Sequence, residues 1–459
     1  MGVRRLRMLS DALAMALAIL VPCSAATAPD AAAPDATAPK LATLYSFTGT
    51  PGGGFLEAGM VLSTSGVFYG TTADGGAYGW GTVYQLAPGT GGAWTQSVLY
   101  SFNPIGLAGD GASPQANLVI GTGGVLIGTT TFGGSSDQGT VFTLTPPTGS
   151  GPWIEKVIHS FKGGSTDGAE PEAGLSLAPK TGVLYGTTYA GGTSGFGTVF
   201  EVAPLTGGGW TEGLLYSFTG GADGGNPVAS VALATTRILY GTTYTGGTLG
   251  YGTVYSLTPP ATTGAPWTES PIYSFTNLTD GSGPEAGVTI KYDRTSSGTI
   301  NVLFGSTFWG GSSNGCPLGG FTAGCGTVYS LTPPTTTGAP WTFAVLYTFT
   351  GTGKDGAHPS QNLYINSGGV LYGTTFSGGS SSNTCFQASY TGCGTVFLLK
   401  PPGTAGGAWA ESVLHDFNGD DGGGPNGVVP GNGGIYYGTT YIGGTSGGYG
   451  TIFSLTPQP

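Results

Sequence analysis

Residues 167–175 read D-G-A-E-P-E-A-G-L. They are followed by V-L-Y-G-T-T-Y-A-G-G (183–192), G-T-V-F-E-V-A-P (197–204) and the Trp-led W-T-E-G-L-L-Y-S-F (210–218). Four short runs, rich in β-branched and aromatic residues, are separated by Gly, Pro and Asp, and none keeps the 3.6-residue period of a helix. We label them A (174–177), B (183–189), C (197–203) and D (212–218). In run C, Thr198, Phe200 and Val202 fall on one face of an extended chain. The residue after the aromatic is polar in most copies (Gln85, Thr143, Glu201, Ser256, Ser330, Ser454), as alternation along a half-buried strand requires. The Gly191-Gly192 pair can take positive φ without a Cβ clash, so runs B and C are read as joined by a tight reversal.

The unit recurs through nearly the whole chain. G-T-T begins at Gly70, Gly128, Gly186, Gly241, Gly305 (as G-S-T), Gly373 and Gly438. A G-T-V/I-aromatic run follows each time, from Gly81, Gly139, Gly197, Gly252, Gly326, Gly394 and Gly450. Seven units of four strands predict an all-β fold, a seven-bladed β-propeller with four strands per blade. The ends agree with a closed ring: a lone D-type run, 41–47, opens the repeats and a lone C-type run, 451–457, closes them. The N-terminal strand is therefore expected to complete the last blade, leaving no unpaired edge. A β-solenoid, the alternative, would not need that arrangement. With A innermost, the D–A and B–C connections share one face of the ring.

The pairing of Y-G-T-T-x-x-G-G with G-T-V-F/Y-x-L-T-P-P resembles the GloVer tandem repeat of bacterial exported proteins, over nearly all of residues 41–459. Membership implies secretion and display at the cell surface, with no assigned catalytic activity.

Gly (91) and Pro (31) make up 27% of the 459 residues. Without a period that composition would mean disorder; here the glycines return at fixed places and mark turns. The net charge is −11. Removing residues 1–25 takes away three arginines and one aspartate, leaving 9 basic against 22 acidic residues, or −13. Such a surface repels phosphate backbones, so nucleic acid is not an expected partner. Arg4, Arg5 and Arg7 precede an apolar run from Ala12 to Val21 and then small residues. Residues 1–25 thus read as a secretory signal peptide, too short to span a bilayer. Residues 26–40 alternate Ala, Pro, Asp and Thr with no bulky apolar side chain, a flexible linker before a single domain at 41–459. The mature chain is expected to be a secreted, extracellular or periplasmic monomer with no transmembrane segment.

Candidate chemistry gathers on the D–A/B–C face. Cys316 with Cys325, and Cys385 with Cys393, each bracket one B–C insertion, and in an exported protein they are expected as disulfides. A four-thiolate metal site lacks the C-x-x-C spacing. D-G-x-x-P recurs at Asp110, Asp167, Asp223, Asp280, Asp355 and Asp421. A ring of carboxylates could collect Ca2+ or a cationic ligand, but one Asp per loop is a sparse donor set. The competing reading has each Asp accept hydrogen bonds from its own turn. His159 and His415 stand where other units carry Tyr; His358 lies beside Asp355 and is placed at the surface. No His pair has ligand spacing, so no metal is expected. Trp94, Trp153, Trp210, Trp267, Trp341 and Trp409 open run D and read as architecture, whereas Trp309 lies on the binding face. Glu57, Glu172 and Glu285 share repeated E-A-G positions, which favours a structural origin over paired carboxylates for glycoside hydrolysis. With no P-loop, dinucleotide fingerprint or G-x-S-x-G elbow in context, and no cofactor expected, the sequence points to a non-catalytic binding and display scaffold. Its expected partner is a surface polymer, a carbohydrate or a protein. The alternative is a carbohydrate-active hydrolase or lyase using carboxylates on the same face.

Overall fold

The structure, a computed structural model, describes residues 39–457 except 107–108, 263, 296–297, 313–315, 319–320, 323, 337, 381–384, 387–389, 405 and 446. The expected signal peptide and most of the linker lie outside the described residues.

The repeated letters have local physical reasons, visible in the third unit. Its strands Ser176–Leu177, Leu184–Thr188, Thr198–Pro204 and Trp210–Ser217 form an antiparallel sheet in that order. Gly186 lies opposite Phe200, and a Cβ there would come within 2.4 Å of the ring; only glycine lets the aromatic lie flat across the neighbouring strand. Gly197 holds φ at +89°, with the Thr188 carbonyl 2.3 Å from where a Cβ would be. The two threonines of G-T-T divide the work. Thr188 shares a 2.8 Å hydrogen bond with the Thr198 hydroxyl inside the blade, and Thr187 donates to the Ala229 carbonyl of the next blade at 2.9 Å. The hydroxyl pair recurs in all seven units, at 2.8 to 2.9 Å. These side chains are fully buried, yet each hydroxyl is satisfied, as burial demands.

Seven such four-stranded sheets are arranged as a seven-bladed β-propeller. The last blade orders its strands as Gly423–Pro430, Tyr436–Ile442, Thr451–Thr456 and Lys40–Ser46. Lys40 pairs with Thr456 and Ser46 with Thr451, so the first strand of the chain closes the ring. Between blades, the Phe ending each outermost strand (Phe47, Phe102, Phe161, Phe218, Phe275, Phe349, Phe417) is fully buried. Each meets the aromatic of the next blade's third strand edge-to-face at 5.0 to 5.3 Å. Such a pair contributes about 0.5–1.5 kcal/mol beyond its buried area.

The innermost strands are shorter than the sequence suggests: five of the seven have two residues, as in Ser176–Leu177, where run A covers 174–177. The preceding proline offers no N–H to a ladder, and the intervening residues line the axis instead. The expected face assignment holds. D–A loops pair with B–C loops in every blade: Gly111 with Gly133, Gly168 with Gly191, Gly356 with Gly378, Gly423 with Ile442, and single bridges Gly54–Asp74, Gly225–Thr245 and Ser282–Trp309.

Candidate functional site

The residue following the D–A loop proline, and its counterpart in the first unit, lines one shared cavity in every blade. Glu57, Gln115, Glu172, Val228, Glu285, Ser360 and Asn426 thus form a ring around an axial cavity of about 360 Å3. Asn117, Gln361 and Asn362 add amides, and no Lys or Arg lines the cavity among the described residues. Three carboxyl side chains and a set of amides therefore line one space. This channel can take hydroxyl-bearing or cationic groups and disfavours anions.

Just before this ring sits a backbone device. Phe55, Ser113, Glu170, Asn226, Gly283, His358 and Gly424 hold φ between +53° and +62°, a left-handed conformation uncommon outside glycine. All seven amides donate to a carbonyl of the preceding blade, as Glu170 does to Gln138 at 2.9 Å. In six of the seven, the carbonyl accepts from the residue after G-T-T in its own blade. That residue is aromatic in five units: Tyr189, Tyr244, Phe308, Phe376 and Tyr441. Phe55 lies 5.6 Å from Tyr441 and 5.5 Å from Tyr449. These half-buried rings pack on one another across the junction of the last and first blades, and none of them lines the cavity.

The six aspartates turn their oxygens into their own loops. Asp110 accepts from Tyr100 Oη (2.9 Å) and the amides of Asn103 and Gly111. Asp223 and Asp280 accept from Tyr216 and Tyr273, and from the amide and hydroxyl of Thr219 and Thr276. Asp355 accepts from both groups of Thr350, and Asp421 lies 2.8 Å from His415 Nε2. Burial opposes ionisation of Asp167, but His159 and the amides of Lys162 and Gly168 outweigh it and lower its pKa. The surface placement of His358 needs correction: it is 3% exposed. Its Nδ1 lies 2.7 Å from Ser377 Oγ, and Phe308, Trp309 and Tyr390 surround the ring at 4.7 to 5.1 Å. Burial alone drives its pKa down to about 3. Trp309 is half-buried, pairs its backbone with Ser282, and lies roughly parallel to Tyr390.

The profile of the Gloeobacter/Verrucomicrobia repeat matches residues 33–231 and 150–315, more than half of the chain. The chain belongs to the Gloeobacter/Verrucomicrobia repeat family. No curated protein matches the sequence. Among solved structures, a putative oxidoreductase (glucose dehydrogenase) from Thermus thermophilus is similar at 16% identity and a TM-score of 0.38, over 74% of this chain and 96% of that one. Trypanosoma rangeli sialidase in complex with sialic acid is similar at 9% identity and a TM-score of 0.39, over 91% of this chain and 59% of that one. At these scores neither bears on function.

In this Gloeobacter/Verrucomicrobia repeat protein, Cys316–Cys325 and Cys385–Cys393 are disulfides, with Cα separations of 5.3 and 5.1 Å. Each packs under the next D–A loop: a Cβ on Gly351 would meet Cys316 Sγ, and one on Gly423 would meet Cys385 Sγ. The two disulfides are consistent with a secreted or periplasmic protein; among the described residues no helix is long and apolar enough to cross a membrane. The repeat also builds a feature that chain spacing hides. Each of Glu155, Glu269 and Glu411 projects from an outermost strand toward the Asp of the preceding D–A loop. Burial first, then Asp110, Asp223 and Asp355 respectively, raise these glutamates to about 7, 8 and 7.

Proposed function

We propose that this repeat protein is an exported, non-catalytic propeller that binds a neutral or cationic, hydroxyl-rich ligand, a carbohydrate chain above all, at the axial channel on its D–A/B–C face. The observation that carries this reading is the channel itself: Glu57, Glu172 and Glu285 with Gln115 and Asn426 line one cavity free of basic residues. Carboxylates and amides recognise vicinal hydroxyls by paired hydrogen bonds. The six aspartates add to the frame rather than to the ligand contacts, because their oxygens serve the turns. The expected signal peptide and the disulfides support action outside the cytoplasm.

Hydrolysis by the same carboxylates is the competing reading, favoured by three glutamates lining one cavity. A glycan array combined with a reducing-sugar assay separates the two. Binding without release of reducing ends, weakened in Glu57→Gln/Glu172→Gln/Glu285→Gln, supports the scaffold. Turnover abolished by one of these substitutions would replace it with a hydrolase. Undiminished binding by the triple variant would remove the channel from the site.

A further inference from the structure

Where the outermost strands of neighbouring blades approach each other, three positions meet. The residue two before the buried Phe is Tyr at most junctions (Tyr100, Tyr216, Tyr273, Tyr347), and its hydroxyl serves the D–A aspartate. The next blade usually adds a glutamate. Two junctions carry His in place of Tyr, and they differ instructively. At one, His415 Nε2 lies 2.8 Å from Asp421 Oδ2, an ordinary hydrogen bond, and the next blade presents Leu41 at the glutamate position. At the other, His159 Nε2 stands 3.5 Å from Asp167 Oδ1 and the next blade presents Glu212. Only here, among the described residues, do a histidine and two carboxylates coincide. One ligand atom from each lies within 4.8 Å of the others.

The separation is informative. A hydrogen bond between His and a carboxylate closes to about 2.7–3.2 Å, as His415 does. Two donors on one tetrahedral ion, each about 2.0–2.2 Å from it, stand roughly 3.4 Å apart. His159 Nε2 and Glu212 Oε1 are buried; beyond the 3.5 Å ion pair with Asp167, His159 Nε2 has no closer hydrogen-bond partner, and Glu212 Oε1 accepts none. Asp167 is held by the amides of Lys162 (2.9 Å) and Gly168 (2.7 Å), the kind of outer support that fixes a ligating carboxylate. We propose that His159, Asp167 and Glu212 bind a first-row divalent cation of the Zn2+ type, clasping the second and third blades. A rotation of the Glu212 carboxylate closes the set, its two negative charges balance the ion, and one coordination position stays open to water.

The repeat supplies its own control, since His159→Tyr restores the residue found at most other junctions and should leave the fold intact. Tag-free, chelator-treated full chain would be titrated with Co2+ by visible absorption and with Zn2+ by calorimetry. One ion per chain is expected, with a Zn2+-dependent rise in Tm. His159→Tyr should weaken binding about 100-fold or more, since even outer-shell losses cost 10–100-fold, and should abolish the Tm rise. His415→Tyr should change neither. The site is overturned if the wild-type chain takes up no Co2+ or Zn2+, if His159→Tyr binds as tightly, or if His415→Tyr is the variant that loses the ion.

Discussion

Phe47 offers a direct measure of whether the ring is closed in solution. It ends the first strand, is fully buried, and meets Tyr84 of the first blade edge-to-face at 5.1 Å. Its amide donates to the Gly450 carbonyl at 2.9 Å, so the residue belongs to the last blade and packs on the first. Phe218 has the same environment in mid-chain: fully buried, 5.1 Å from Tyr255, its amide on Gly197. Truncating either to Ala removes a buried ring and leaves a cavity, a cost of about 3–5 kcal/mol. At about 2.1 cal/mol/K per residue, a ring of roughly 420 residues has an unfolding entropy near 0.9 kcal/mol/K, so the expected fall in Tm is about 3–6 °C. The assay is urea and thermal unfolding of Phe47→Ala and Phe218→Ala side by side. A closed ring makes the two equal within about 1 kcal/mol. If Phe218→Ala carries the full cost while Phe47→Ala lies within about 0.5 kcal/mol of wild type, the seam is open and the reasoning fails.

Two further outcomes follow from the same contacts. The hydroxyls of Tyr84, Tyr255 and Tyr329 are buried with no hydrogen-bond partner among the described residues, where other blades use Phe142, Phe200, Phe397 and Phe453. Tyr255→Phe should therefore stabilise by about 1 kcal/mol; a loss of that size in urea would contradict the assignment. Glu155, Glu269 and Glu411 have folded pKa values raised to about 7, 8 and 7. The folded state holds these protons more tightly, so the stability they contribute is complete below the unfolded value near 4.5 and is lost as pH rises through 7 to 8. Tm should fall from pH 5 to 8, less steeply in Glu269→Gln; a wild-type Tm that climbs across this window, or a variant with the wild-type slope, would refute the linkage.

Much of the frame was legible in the letters. The seven returns of G-T-T and G-T-V-aromatic set the blade count, and the lone runs at either end required a first strand that completes the last blade. The cysteine pairs could be read because each lies within one loop. What escaped the reading depends on neighbours that chain order separates. Glu57, Glu172 and Glu285 look like copies of a structural position, and only curvature about an axis turns them into one lining. His358 reads as part of an Asp-Gly turn, but Phe308, Trp309 and Tyr390, which bury it, arrive from other segments. Glu212 stands 53 positions after His159 in another blade, so no ligand spacing along the chain announces their approach.

The left-handed residue ahead of each proline has an evolutionary corollary. What the scaffold demands there is an amide, a carbonyl and the sign of one torsion, and units carrying Phe, Ser, Glu, Asn, Gly or His all comply at φ of +53° to +62°. Mutation can exchange such letters around the doorway while the masonry behind them stays put. A lineage could in this way retarget its grip blade by blade, without renegotiating how it folds.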